Sequence, residues 1–167
     1  MIVFHHLLYV LTIKGESHIV ELKKTRRIAM KTLILYYSLS GNTRKVAEAL
    51  AESEPADIAE IKSAKRIGKL KAYTAGIFGA IGGKAWPIAP LDTDLSGYER
   101  LILLSPVWAN NPAPPVNAIL QQLPEGKTIA VKLISASGKS DCTQRLETAI
   151  TEKGCTLESV EDISSRK

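Results

Sequence analysis

Leu35-Tyr36-Tyr37-Ser38-Leu39-Ser40-Gly41-Asn42-Thr43-Arg44-Lys45-Val46-Ala47 passes from an apolar run into a small hydroxyl-rich turn and then into a helical pattern. Thr32–Tyr37 is short, β-branched and aromatic, the composition of a strand buried on both faces. Asn42 or Thr43 can cap a helix running to about Ser53, with Val46, Ala49, Leu50 and Ser53 on one face. Between strand and helix, Ser38, Ser40 and Thr43 surround Gly41-Asn42. The first N–H groups of a helix have no intrahelical partner, and the helix dipole favours an anion there. Hydroxyls add donors, and a glycine lets the backbone turn tightly. The turn therefore has the makings of a phosphate cradle in which dipoles, not a lysine, do most of the holding.

Other phosphate-binding patterns fail on spacing. The Gly83-Lys84 pair has Phe78 and Ala85 where a Walker A loop needs glycine and a hydroxyl. No Gly-x-Gly-x-x-Gly occurs. A receiver domain needs acids just after the first strand, where Tyr36, Tyr37 and Ser38 stand. A cysteine-phosphatase loop needs Arg six residues after a cysteine, where Thr148 and Glu161 stand.

The rest of the chain alternates. Asp57–Ile61 is a second short strand. Ala64 to about Ala80 has helical spacing, weakened by Gly76 and Gly79, and a loop follows through Trp86-Pro87 to Asp94. Arg100–Ser105 is a central strand, Ala109–Pro115 a proline-rich loop, and Pro115 opens a helix with Val116, Ile119, Leu120 and Leu123 at core spacing. Lys127–Ile134 is a strand, Ser135–Asp141 a loop, Cys142–Lys153 a helix stopped by Gly154, and Thr156–Ile163 a last strand. Strands alternating with helices imply a parallel sheet covered on both faces, wound by right-handed crossovers into three layers. Ligands bind such sheets beyond the carboxyl ends of the strands. Three loops lie there: 38–43, 106–115 and 135–141.

In the second loop, Pro106-Val107-Trp108-Ala109-Asn110-Asn111-Pro112, a tryptophan among turn residues can offer its face to a planar ring or pack in a core or interface. Asn110 or Asn111 can take left-handed backbone and let a peptide carbonyl turn toward a ring N–H. In the third, Ser135-Ala136-Ser137-Gly138-Lys139-Ser140-Asp141 is small enough for a ring edge to approach the backbone. Cys142, just after it, reads as a small hydrophobe under a helix.

Composition agrees with one globular domain. The 167 residues are 45% hydrophobic and 23% charged, which excludes a disordered chain. The net charge of +5 is too mild to demand nucleic acid. Five basic and two acidic residues precede Met30, a net +3, which leaves +2 for residues 30–167. All three histidines, His5, His6 and His18, also precede Met30, so a domain starting there has none for acid–base or metal chemistry. Cys142 and Cys155 are too few for a disulfide scaffold or a four-cysteine zinc site. Met1–Ile13 is apolar but too short to span a bilayer, and no basic residue precedes it as a signal peptide requires. We expect residues 1–29 to be an extension, either upstream of a true start at Met30 or an accessory element, and residues 30–167 to be the domain.

At this point a family resemblance can be stated. Ser38-Leu39-Ser40-Gly41-Asn42-Thr43 resembles the flavodoxin phosphate-loop signature, (Ser/Thr)-x-(Ser/Thr)-Gly-x-(Ser/Thr), and Ser105-Pro106-Val107-Trp108 resembles the second flavin loop of that family. The likeness extends from Met30 to about Ile163. It implies a flavodoxin-like, doubly wound α/β sandwich with a five-stranded parallel sheet in the order 2-1-3-4-5 and one non-covalent FMN. It further implies that Ser38, Ser40, Gly41, Asn42 and Thr43 bind the phosphate. Pro106, Val107, Trp108 and Ala109 would flank the isoalloxazine, and Ser135, Ser137 and Gly138 would cover its other edge. No catalytic residue and no metal ligand is implied. The chain departs from the family in three ways. It is basic where electron-carrier flavodoxins are acidic. The segment 64–90 is longer than a simple crossover. Only Ser164-Ser165-Arg166-Lys167 follows the last strand, where the family has a further helix. One sheet face is then expected to lie partly bare, to be covered by a dimer partner or by residues 1–13.

The expected function is electron transfer through FMN in the cytoplasm, with redox partner proteins or small electron acceptors and without nucleic acid or membrane. An NAD(P)H-dependent quinone or flavin reductase and a flavin-free interaction domain are the alternatives.

Overall fold

The computed structural model describes residues 30–64, 79–81 and 83–166. Strand β1 (Thr32–Tyr36) is buried along its whole length. It pairs in parallel with β2 (Ala56–Glu60) on one side and with β3 (Arg100–Trp108) on the other. Helix α1 (Asn42–Ser53) makes the crossover between β1 and β2. After β3 the chain turns into a two-residue strand β4 (Asn111–Pro112), which pairs back on β3 in antiparallel fashion. Helix α2 (Pro114–Gln121) leads to β5 (Thr128–Ser135), and α3 (Thr143–Thr151) leads to β6 (Thr156–Ser164). The sheet order is β2-β1-β3-β5-β6, with β4 off that path on β3. Without the short β4 this is the expected 2-1-3-4-5 order, and the fold is flavodoxin-like.

Alternation along the central strands feeds two cores. Leu33 and Leu35 of β1, Leu101 and Leu103 of β3, and Ile129, Val131 and Leu133 of β5 share one cluster with Val116 and Ile119 of α2 and Leu146 and Ile150 of α3. Ile34, Tyr36, Ile102, Leu104, Ala130 and Ile134 face the other way and cluster with Ala47 of α1. A run such as Leu101-Ile102-Leu103-Leu104 must therefore be apolar at every position.

β3 runs three residues beyond the expected end at Ser105. Proline lacks an N–H and usually ends a ladder, but Pro106 lies at the carboxyl end of β3, in register with Ile134, and its carbonyl still accepts from Ala113 N–H at 3.2 Å. The stretch expected as a proline-rich loop from Ala109 is instead a tight hairpin. The expected helix from Ala64 lies largely outside the described residues; Gly79, Ala80 and Ile81 are helical. Among the described residues, Ser165 and Arg166 follow β6. Ala130 and Ile134 are buried, and Lys132 Nζ meets Glu161 Oε2 at 2.6 Å. Residues 1–13, the expected cover, lie outside the described residues. No described helix is long and apolar enough to cross a membrane, and no described group of three or more His, Cys, Asp or Glu could hold a metal ion.

Arg100 fastens the amino-terminal end of the sheet. Only 6% exposed, it donates from Nε to Glu158 of β6 at 2.7 Å and from Nη1 to Glu54 after α1 at 2.9 Å. These carboxylates hold its guanidinium charged despite the burial that opposes charge. Arg100→Ala is expected to cost about 2–3 kcal/mol in urea unfolding, because the inner carboxylate loses its cation. Glu54→Gln should cost under about 1 kcal/mol, because the Glu54 side chain is 36% exposed. Equal small losses would remove the triad from the account of stability.

Candidate functional site

The carboxyl ends of β1, β3, β5 and β6 surround a cavity of about 370 Å³. That lies within the usual range of small-molecule sites, about 300–1,000 Å³. Its walls include Ser40, Asn42 and Thr43 from the turn into α1, Pro106, Val107 and Trp108 from the end of β3, and Ser135 from the end of β5. Seven of the twelve residues expected at the site thus meet around one space. The other five, Ser38, Gly41, Ala109, Ser137 and Gly138, are not in its lining.

Ser38 Oγ accepts the Gly41 N–H at 3.1 Å and so closes the turn. Gly41, not Asn42 or Thr43, is the cap residue of α1, at φ 97° and with no side-chain cap. The left-handed backbone there explains the glycine. The sequence-based cap expectation failed because capping preferences assume an extended cap residue whose side chain bonds back to the helix. Without such a cap, the first N–H groups of α1 are left to solvent or a ligand. No acid stands in the first turn of α1, which instead carries Arg44 and Lys45. Arg44 Nη2 is engaged by Glu60 at 2.6 Å, and that hydrogen bond raises the guanidinium pKa above its ordinary value.

Ala109 and Asn110 form the two-residue turn between β3 and β4, with φ of 46° and 63°. Both positive values mark a turn of the I′ type, which normally selects Asn-Gly. Asn110 matches the expectation of left-handed backbone. Ala109 does not, and its conformation costs about 1–2 kcal/mol. Ala109 is outside the cavity lining, and its carbonyl accepts Asn111 Nδ2 at 2.8 Å.

Trp108 is only 8% exposed, with Tyr37 and Trp86 packed edge-on at ring-centroid distances of 6.0 Å. It is part of the core and of the cavity wall at once. Burial pushes the Tyr37 phenol above its usual value, so it stays protonated at neutral pH. In the third loop, Ser135 Oγ lies 3.2 Å from Ser137 Oγ and accepts the Lys139 N–H at 3.3 Å. Gly138 packs against Ser164 of β6.

Four lining residues escaped the sequence reading: Leu39, Ile134, Ala136 and Ser165. Leu39 was visible as the one apolar side chain in a polar turn. Ser165 follows β6, a fourth strand end that the same carboxyl-edge rule covers, and its N–H bonds Ser135 O at 2.8 Å. Every named wall residue is uncharged. The site therefore offers N–H and hydroxyl donors at one end and an apolar, aromatic wall at the other. That donor set suits a phosphate attached to a planar, largely apolar ring.

No family model matches the chain, and no curated protein matches it. Solved structures do. The chain is similar to a flavoprotein in complex with FMN from Lactobacillus acidophilus NCFM, at 27% identity and a TM-score of 0.61, over 78% of this chain and 91% of that one. It is also similar to a Bacteroides eggerthii protein described as a flavoprotein, at 17% identity and a TM-score of 0.65, over 82% and 92% of the two chains. A Bacteroides uniformis protein described in the same way matches at 20% identity and a TM-score of 0.59, over 78% and 89%. These likenesses support the flavodoxin-like fold.

Cys142 is buried under α3, and burial raises its thiol pKa. Cys155 is buried too, with Sγ 3.1 Å from Pro124 O. Neither thiol is expected to react with a bulky thiol reagent at pH 7 in the folded chain, while both should react in urea. Fast native labelling of Cys142 would show that it is an accessible part of the site.

Proposed function

We propose that this chain is an FMN-binding redox protein that passes electrons between partner proteins or small acceptors through a non-covalent flavin. The observation that carries the reading is the uncapped, acid-free start of α1 opening onto a neutral cavity of ligand size at the carboxyl edge of the sheet. The similarity to a flavoprotein in complex with FMN supports it.

On this reading the residues divide the work. Ser38 holds the turn closed around Gly41, and Ser40, Asn42, Thr43 and the free N–H groups of α1 take the phosphate. Pro106, Val107 and Trp108 form the wall for the ring, with water excluded by the packing of Trp108 on Tyr37 and Trp86. Ser135 and Ala136 bound the opposite side, with Ser137 and Gly138 behind them. The flavin itself supplies the electron-carrying chemistry, and the protein sets its position and electrostatic surroundings.

Titration of the purified full chain with FMN, followed by absorption and fluorescence, tests the reading. FMN should bind, and riboflavin, which lacks the phosphate, should bind about thirtyfold more weakly, the equivalent of about 2 kcal/mol at a helix N-terminus. Gly41→Ala should weaken FMN binding. An added Cβ there meets nothing within 4 Å, so the effect comes from the backbone at φ 97°. A folded chain that binds neither flavin would refute the proposal. Steady NADPH oxidation with a quinone would instead make the protein a reductase.

The uncharged wall also sets an expectation for the potential. A carboxylate about 4 Å from a reduced, negatively charged ring would oppose it by about 4 kcal/mol at an effective dielectric constant near 20. With no carboxylate in the wall, bound FMN should be reduced at a less negative potential than FMN held among acids. Ala136→Glu should drive the potential lower. Redox titration of both proteins at pH 7 checks this, and an unchanged potential would contradict it.

A further inference from the structure

Both carbonyls of the strained turn at the end of β3 are already occupied. Ala109 O accepts Asn111 Nδ2 at 2.8 Å, and Asn110 O accepts the Asp141 N–H at 3.4 Å. The Asn111 side chain is in turn held from its other end: its Oδ1 accepts Arg145 Nη1 at 2.6 Å. The same nitrogen lies 3.4 Å from Ala80 O. The guanidinium rests directly on the backbone at Gly83, where an added Cβ would stand 2.0 Å from Nη2 and 2.6 Å from Cζ. Ala80 and Gly83, the turn 109–112 and α3 therefore meet at one side chain.

Arg145 stands in the first turn of α3, where the helix dipole disfavours a cation. Among the described residues no carboxylate forms an ion pair with it. Its observed partners are the Asn111 amide and a main-chain carbonyl, which accept hydrogen bonds in a definite direction.

We propose that Arg145 is a positioning residue for the cavity rim. Through the Asn111 amide it locks the Ala109–Asn110 turn in its left-handed conformation and so fixes the end of β3 that carries Pro106, Val107 and Trp108. The turn cannot rely on its own composition, because alanine stands at the first positive-φ position. The link is directional. Asn111 spends its acceptor on Arg145 and its donor on Ala109, so a flipped amide would lose both bonds. The effect on the cofactor rests on the FMN reading above; the effect on the turn does not.

A double-mutant cycle on the full chain separates the two. Amide hydrogen exchange at Asn111, in the β3–β4 ladder, and at Asp141, whose N–H is bonded to Asn110 O, is measured without flavin, and FMN affinity is measured alongside. Arg145→Ala should speed exchange at both amides and weaken FMN binding by about fivefold to tenfold, the loss of one charge-assisted hydrogen bond in a partly exposed place. Asn111→Asp keeps the acceptor for Arg145 but loses the donor to Ala109, and should do the same. In an Ala109→Gly background the turn needs no clamp, so Arg145→Ala should change neither quantity by more than about twofold. Arg145→Lys, which keeps one donor and the charge, should recover part of the loss.

Unchanged exchange and affinity in Arg145→Ala would overturn the proposal. So would equal losses with and without the glycine, since a merely structural arginine would not be rescued at position 109. If Arg145→Ala does not fold, Asn111→Asp with and without Ala109→Gly decides by the same criterion. If the parent chain binds no FMN, the functional reading fails while the exchange cycle still decides the clamp.

Discussion

The fold depends on the parallel pairing of β1 with both of its neighbours. Thr32 aligns with Ala56 on one side and with Arg100 on the other, and the register holds through Tyr36. A strand buried between two parallel partners has no free face and no free edge. Each return to the sheet must then be a crossover, with right-handed winding the strong preference. Every crossover starts at the same edge. The ends of β1, β3, β5 and β6 therefore gather around one cavity, although its wall residues span Leu39 to Ser165. The opposite edge is fastened by charge instead, where Arg100 links β3 to β6 and to the end of α1.

Electrostatics at the start of α1 run against ordinary helix design. An acid in the first turn stabilises a helix by about 0.3–1 kcal/mol, and a cation there opposes the dipole by a similar amount. α1 has Arg44 and Lys45 and no acid. Glu60 relieves part of this by pairing with Arg44 from the neighbouring strand. The absent side-chain cap forgoes a further contribution of about 1 kcal/mol. A helix that gives up both devices while packing well through Ala47 is shaped at that end by something other than its own stability. An anion seated on the free N–H groups would restore both terms at once.

Much of this architecture was legible because it rests on local signals. Buried strands such as Leu101-Ile102-Leu103-Leu104 and the amphipathic pattern from Val116 declare themselves, and alternation of the two implies the layered sheet. The turn 38–43 was legible for the same reason, since its hydroxyls and glycine are contiguous. What stayed hidden depends on contacts distant in sequence. The extension of β3 through Pro106 is permitted by pairing with Ile134, which no local rule contains. The cap shifted from Asn42 to Gly41 because Ser38 reaches across the turn to hold it. The sequence offers Trp108 as a ring-stacking face or as a core tryptophan without deciding between them. Its burial against Tyr37 and Trp86 depends on three separate segments, and makes one side chain serve core and wall together.

That double duty bears on the turn beside it. A wall built from a core residue is rigid where it touches the core and free to drift where the strand ends. β3 leaves the sheet at Trp108 and enters a turn whose first residue, Ala109, is poorly suited to its backbone. Glycine there would take the left-handed backbone without strain and would need no clamp. Alanine held by Asn111, and Asn111 held by Arg145, costs strain but leaves one conformation. Strain of this kind persists only where the surroundings over-determine it, and it gathers at functional sites. The rim is thus kept in place by Arg145 of α3, outside the strand that forms it. Its order can be loosened without loosening the sheet, and on the function proposed above a cavity that admits and retains a ligand gains from that separation.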